Sequence, residues 1–92
     1  MLVNSLTAFK RYLKTRGATC LTSYEYHGLP CGHKNLGVIR KPKIVQSNAV
    51  QFEGGSWLYF DTAKDWSFFS KDEKNFAVND CGFCKLTYEL VG

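Results

Sequence analysis

The sequence predicts an α+β domain: an N-terminal helix packed on an antiparallel β-sheet of five or six strands, with room to curl toward a small barrel. Three observations carry this. Apolar residues recur at helical spacing in one convincing place, residues 5–16, SLTAFKRYLKTR. The stretch 43–60, KIVQSNAVQFEGGSWLYF, reads as three consecutive antiparallel strands joined by two tight turns. Most of what remains falls into short β-prone runs punctuated by Gly, Pro and charged turns. At 92 residues, 1–92 forms a single domain with a modest core.

Within the helix, Leu6, Phe9 and Leu13 form a stripe, with Leu2 leading in and Tyr12 beside them, able to pack on the sheet. Asn4 or Ser5 supplies an N-cap oxygen, and Gly17 is expected to take the left-handed conformation that ends the helix. Lys10, Arg11 and Lys14 lie away from the stripe, where cations also suit the negative end of the helix dipole. A solvated face and a binding face account for them equally well.

Residues 18–26, ATCLTSYEY, read as a first strand, and 27–35, HGLPCGHKN, as a loop. Residues 37–40 extend a strand up to Pro42, which cannot donate to a ladder and so marks an edge or a bend. In the meander, two-residue turns at Ser47-Asn48 and Gly54-Gly55 set Val45 opposite Val50, Phe52 opposite Trp57 and Val50 opposite Tyr59. That register gathers Val45, Val50, Phe52, Trp57 and Tyr59 on one core-facing side, and a slip of one residue would exchange the faces. Asp61 caps a short helical turn over DTAKDW, and residues 67–69 fit no single form. Residues 70–75, SKDEKN, are a charged turn, while 76–79 and 85–91 are the last strands, joined tightly through Asp80-Cys81-Gly82-Phe83-Cys84.

Composition narrows the function. A hydrophobic fraction of 45% fits a folded globule. No run of about 18 apolar residues exists to span a membrane, and the N-terminus has the wrong order of charge and apolarity for a secretory signal. The expected location is therefore the cytoplasm, with the four cysteines reduced. The net charge of +4 hides an asymmetry. Residues 1–43 carry eight cations and one acid, Glu25, whereas residues 44–92 carry four cations and seven acids. Such polarity suggests a charged partner met by one side of the molecule.

Cys31-Gly-His33 and Cys81-Gly-Phe-Cys84 place two pairs of soft ligands on turns, as tetrahedral zinc requires. Opposing that, the core needs no metal, the first pair has an unusual spacing, and free thiols explain the pattern, with Cys20 a small residue of the first strand. A redox CGFC pair would belong at a helix N-terminus rather than between strands. His27 and His33 lie near Cys31 with no Asn or Asp placed to orient an imidazole, so catalysis, including a small ribonuclease, has little support. No cofactor, substrate cleft or catalytic residue is expected. Lys10, Arg11, Lys14, Arg16, Lys34, Arg40, Lys41 and Lys43 instead form one basic surface if the helix C-terminus lies beside the Pro42 edge. That surface would bind phosphate backbone without reading sequence, because no base-reading motif is present and the aromatics are expected to be consumed by the core.

Through SLTAFKRYLKTRG followed by SNAVQFEGGSWLYF, and through its size, the chain resembles the small bacteriophage anti-CRISPR proteins that act on type I-F RNA-guided surveillance complexes. The resemblance implies an inhibitor rather than an enzyme, binding a subunit of the host surveillance complex in the host cytoplasm and stoichiometrically blocking target DNA. Mimicry of DNA would need an acidic chain, so a basic one points to guide RNA or an acidic protein surface, with the eight cations as contacts. No membrane and no small-molecule substrate are implied. The alternative is a small basic nucleic-acid-binding accessory protein, zinc-stabilised through Cys31, His33, Cys81 and Cys84.

Overall fold

The computed structural model describes residues 3–60 and 65–91. Among the described residues one helix, α1 (Leu6–Lys14), precedes nine strands: β1 (Thr19–Tyr26), β2 (Leu29–Pro30), β3 (Ile39–Arg40), β4 (Pro42–Val45), β5 (Ala49–Phe52), β6 (Trp57–Tyr59), β7 (Asp65–Lys71), β8 (Lys74–Asp80) and β9 (Cys84–Leu90). The fold is α+β, with the strands divided between two sheets. The larger runs β2-β1-β9-β8-β7 with β3 also pairing to β1, and the smaller runs β4-β5-β6. All named strand pairs are antiparallel and neither sheet closes into a barrel.

Helix α1 begins where expected. The Ser5 side chain accepts from the Ala8 N–H at 3.1 Å, satisfying one of the orphan donors of the first turn. Its end differs from the sequence expectation. Arg16, not Gly17, takes the left-handed conformation (φ 67°), with Arg16 N–H bonded to Leu13 O and Gly17 N–H to Tyr12 O. These two bonds make a Schellman closure one residue earlier than composition suggested. Gly17 is required for a different reason: a Cβ there would overlap the Tyr12 ring, whose hydroxyl donates to Ala18 O at 2.5 Å. Gly17→Ala is expected to cost about 1–3 kcal/mol by overpacking, read as a lowered urea midpoint. An unchanged midpoint would mean that the ring moves aside freely.

The core joins one stripe of α1 to one face of each sheet. Phe9, Tyr12 and Leu13 meet Val50, Phe52, Leu58 and Phe60 from the smaller sheet and its exit, and Ala77, Trp66 and Phe68 from the larger. Phe9 is its centre, 0% exposed, with ring centroids 6.2 Å from Phe60, 5.5 Å from Trp66 and 6.0 Å from Phe68.

The Ser47-Asn48 turn sets Val45 opposite Val50 as expected. The second turn does not. Phe52 N–H bonds to Ser56 O, so Glu53-Gly54-Gly55 is a three-residue loop, and Val50 faces Leu58 while Gln51 faces Trp57. A one-residue difference in loop length reverses every side chain of β6. Leu58 and Phe60 enter the core, and Trp57 and Tyr59, expected inside, stand outside at 39% and 47% exposure. Gly54 and Gly55 permit this loop through positive φ angles of 95° and 96°.

Two hairpins lie where loops or turns were expected. His27-Gly28 joins β1 to β2, and Asp72-Glu73 joins β7 to β8, with positive φ at both central residues of each. Residues 67–69 belong to β7, as do Asp65 and Trp66 from the expected helical turn; Asp61 and the rest of that turn lie outside the described residues. Pro42 opens edge strand β4, a position that needs no N–H.

Tyr88 of β9 packs against the core, and burial pushes its hydroxyl up to about 12. The unfolded value is near 10, so between these limits the folded state holds the proton that the unfolded state has released. This contribution to stability is intact below about pH 10 and is lost as pH rises through 12, by at most roughly 3 kcal/mol. Tyr88→Phe is expected to remove that component of alkaline destabilisation. Comparing urea midpoints of both proteins at about pH 9 and about pH 11 checks this, and identical alkaline losses would exclude Tyr88 as a source.

Candidate nucleic-acid interface

The outward stripe of α1 is the complement of its buried one. Thr7, Lys10, Arg11 and Lys14 recur at helical spacing and line a shallow depression. Lys10 is partly committed to the fold, with Nζ 5.0 Å from the centre of the Phe60 ring, a cation–π arrangement. Arg11 and Lys14 are exposed in the last turn, where the helix dipole favours them.

The left-handed Arg16 directs its side chain to β4. Its Nη1 donates to Pro42 O at 3.1 Å and Lys43 O at 3.2 Å. The condition set by the sequence for a single basic surface is the adjacency of the helix end and the Pro42 edge, and these two bonds supply it. Lys41 and Lys43, both exposed, flank Pro42 beside that junction. Arg16 thus works as a tie between elements as well as a source of charge.

Arg40 is a second tie. It sits on β3 of the larger sheet, donates from Nη1 to Glu53 O at 2.6 Å in the loop of the smaller sheet, and donates from Nη2 to Asn35 Oδ1 at 2.8 Å. The guanidinium lies so close to Gly54 that a Cβ there would overlap it. Lys34 is exposed beside it, and both line the opening between the sheets.

Trp57 also lines that opening, and its ring stacks on Tyr59 with centroids 6.0 Å apart. Their exposure reverses the expectation that the core would consume the aromatics. Reading Glu53-Gly54-Gly55 as a three-residue loop is the signal that would have found them.

The cysteine turns form a separate cluster. The Tyr24 hydroxyl lies 3.6 Å from Cys84 Sγ, Cys31 N–H donates to Tyr24 O, and the Tyr24 and His33 rings are 5.2 Å apart. The Cys84 hydrogen bond first, then burial and the nearby thiol groups of Cys84, Cys31 and Cys81, raise the Tyr24 hydroxyl above its ordinary value. All four cysteines are free. The zinc set is not assembled: among the described residues no three His, Cys, Asp or Glu side chains converge as a metal site. His33 Nδ1 accepts from Asn35 N–H at 3.0 Å, so in the neutral ring Nε2 carries the proton and no lone pair remains to bind an ion. His27 packs edge-on against Tyr26 at 4.3 Å, in different surroundings from His33.

Among the described residues no helix is long and apolar enough to cross a membrane. No protein-family model, curated protein or solved structure matches this chain.

Proposed function

We propose that this chain is a bacteriophage anti-CRISPR protein that binds a type I-F RNA-guided surveillance complex in the host cytoplasm and blocks target DNA stoichiometrically, without chemistry of its own. The biological setting rests on the resemblance in sequence. The mode of binding rests on one observation: the Arg16 bonds to Pro42 O and Lys43 O join the helix cations to those of the β4 edge. Lys10, Arg11, Lys14, Lys41 and Lys43 then act as one surface. Like charges held together are relieved by a polyanion, through release of its condensed counterions. Guide RNA, threaded through the complex, is the polyanion that this face suits.

The exposed Trp57 and Tyr59 pair favours a second reading, a free-standing nucleic-acid-binding accessory protein, because stacking platforms beside basic grooves bind single strands. A gel-shift of labelled target duplex with purified surveillance complex separates the two. Loss of the shift near one equivalent of this protein, with no shift by the protein alone, is the expected result. An undisturbed complex overturns the inhibitor, and a salt-sensitive shift of single-stranded RNA by the protein alone then establishes the second reading.

A further inference from the structure

The two sheets part beside Arg40 to leave a cavity of about 210 Å³. Its walls mix apolar residues, including Leu21, Phe52 and Leu86, with the polar Thr19, His33, Asn35 and Ser56, and Lys34, Arg40 and Trp57 also line it. A shallow bay formed with Gly54 and Gly55 shares Lys34 and Arg40 with this cavity. Among the described residues no acidic side chain lines either space. Arg40 Nε is buried without a partner, a donor on a permanently charged group that the fold leaves unsatisfied. The combination calls for a ligand with a flat, largely apolar body and an anionic end. The cavity is smaller than the roughly 300–1,000 Å³ of drug-sized ligand sites, which limits the body to a compact ring system.

We infer that this cleft binds one nucleotide, with the base in the cavity beside Trp57 and the phosphate in the bay against Lys34 and Arg40. The base gains an aromatic edge and largely apolar walls, and the phosphate gains the attraction of two cations, Lys34 and Arg40. Lys41 links the site to the basic face, since its carbonyl accepts from Glu53 N–H in the loop that borders the bay. A strand lying along that face would present a base to the cleft. The proposed function supplies only the biological source of the nucleotide; binding of a free nucleotide stands independently of it.

The test is a titration of the whole ¹⁵N-labelled protein, followed by its amide and indole resonances, with AMP, UMP, adenosine, inorganic phosphate and decanoate. Saturable shifts at Lys34, Asn35, Gly54, Gly55 and the Trp57 indole are expected with AMP or UMP, with adenosine and phosphate each weaker by roughly tenfold. Trp57→Ala, at an exposed position, is expected to weaken nucleotide binding roughly tenfold, and Lys34→Glu to weaken AMP more than adenosine, while both spectra remain those of a folded protein. Absence of saturable shifts at the cleft overturns the site, as do shifts confined to the α1 cations. Equal binding of phosphate and AMP reduces it to an anion bay and overturns the base pocket; binding of decanoate without nucleotide overturns the ligand class. Because the titration contains only this protein, its failure leaves the surveillance-complex gel-shift to stand or fall separately.

Discussion

Phe9→Ala is expected to remove about 3–5 kcal/mol of stability, against a total of roughly 5–14 kcal/mol for a chain of this size. The reason is position as well as area. Phe9 is the residue through which α1 meets the exit of the smaller sheet at Phe60 and strand β7 of the larger at Trp66 and Phe68. Truncation leaves a cavity bordered by three rings on two elements, Phe60 at the exit of the smaller sheet and Trp66 and Phe68 on β7, and each can follow only by pulling its own backbone. Collapse is therefore incomplete and the cavity cost remains. Circular dichroism during urea titration reads the loss as a lower midpoint. Phe9→Leu, which keeps most of the volume, is expected to lose well under half as much. A loss below about 1 kcal/mol for Phe9→Ala would show that α1 does not clamp the two sheets together.

The second large effect concerns binding. Combined reversal of Lys10, Arg11 and Lys14 to Glu is expected to abolish inhibition of the surveillance complex while leaving the circular dichroism spectrum that of the folded parent, with a urea midpoint lowered by the acids at the negative end of the helix. Arg11 and Lys14 are exposed and serve no contact in the core, and Lys10 gives up one cation–π interaction, worth about 0.5–1 kcal/mol at an exposed site. The functional cost is larger because each reversal replaces an attraction to phosphate with a repulsion. Full inhibition by the triple variant would discard the helix as the interface. Lys41→Glu with Lys43→Glu tests the β4 edge in the same assay. Arg16 and Arg40 are unsuitable probes of contact, because each holds backbone carbonyls and its reversal confounds binding with folding.

Local chemistry was legible wherever a residue and its neighbours in sequence decide the outcome. The Ser5 cap, the Leu6-Phe9-Leu13 stripe, the first strand (expected over 18–26, found at Thr19–Tyr26), the Val45 to Val50 pairing and the closing strand (expected over 85–91, found at Cys84–Leu90) all follow from capping, periodicity and turn preference. The His27-Gly28 and Asp72-Glu73 hairpins were harder. Each asks a non-glycine residue to adopt positive φ, and the pairing of the strands holds it there at a cost that local preference alone would avoid.

The candidate site shows the same division. Its cations, the helix that carries three of them and the Pro42 edge were determined by the sequence, because charge and proline act through covalent identity. Whether those cations share a face depended on Arg16 reaching Pro42 and Lys43, a contact spanning 26 and 27 residues that no local pattern encodes. The loop at Glu53-Gly54-Gly55 depended likewise on what its strands bury. Two-residue and three-residue turns are both open to Gly-Gly, and the core, by taking Leu58 and Phe60 against Phe9, turned Trp57 and Tyr59 to the surface. Residue types set the chemistry available to this protein. Tertiary packing chose which of it faces a partner, since a register is decided by the whole buried surface and not by the turn that joins two strands.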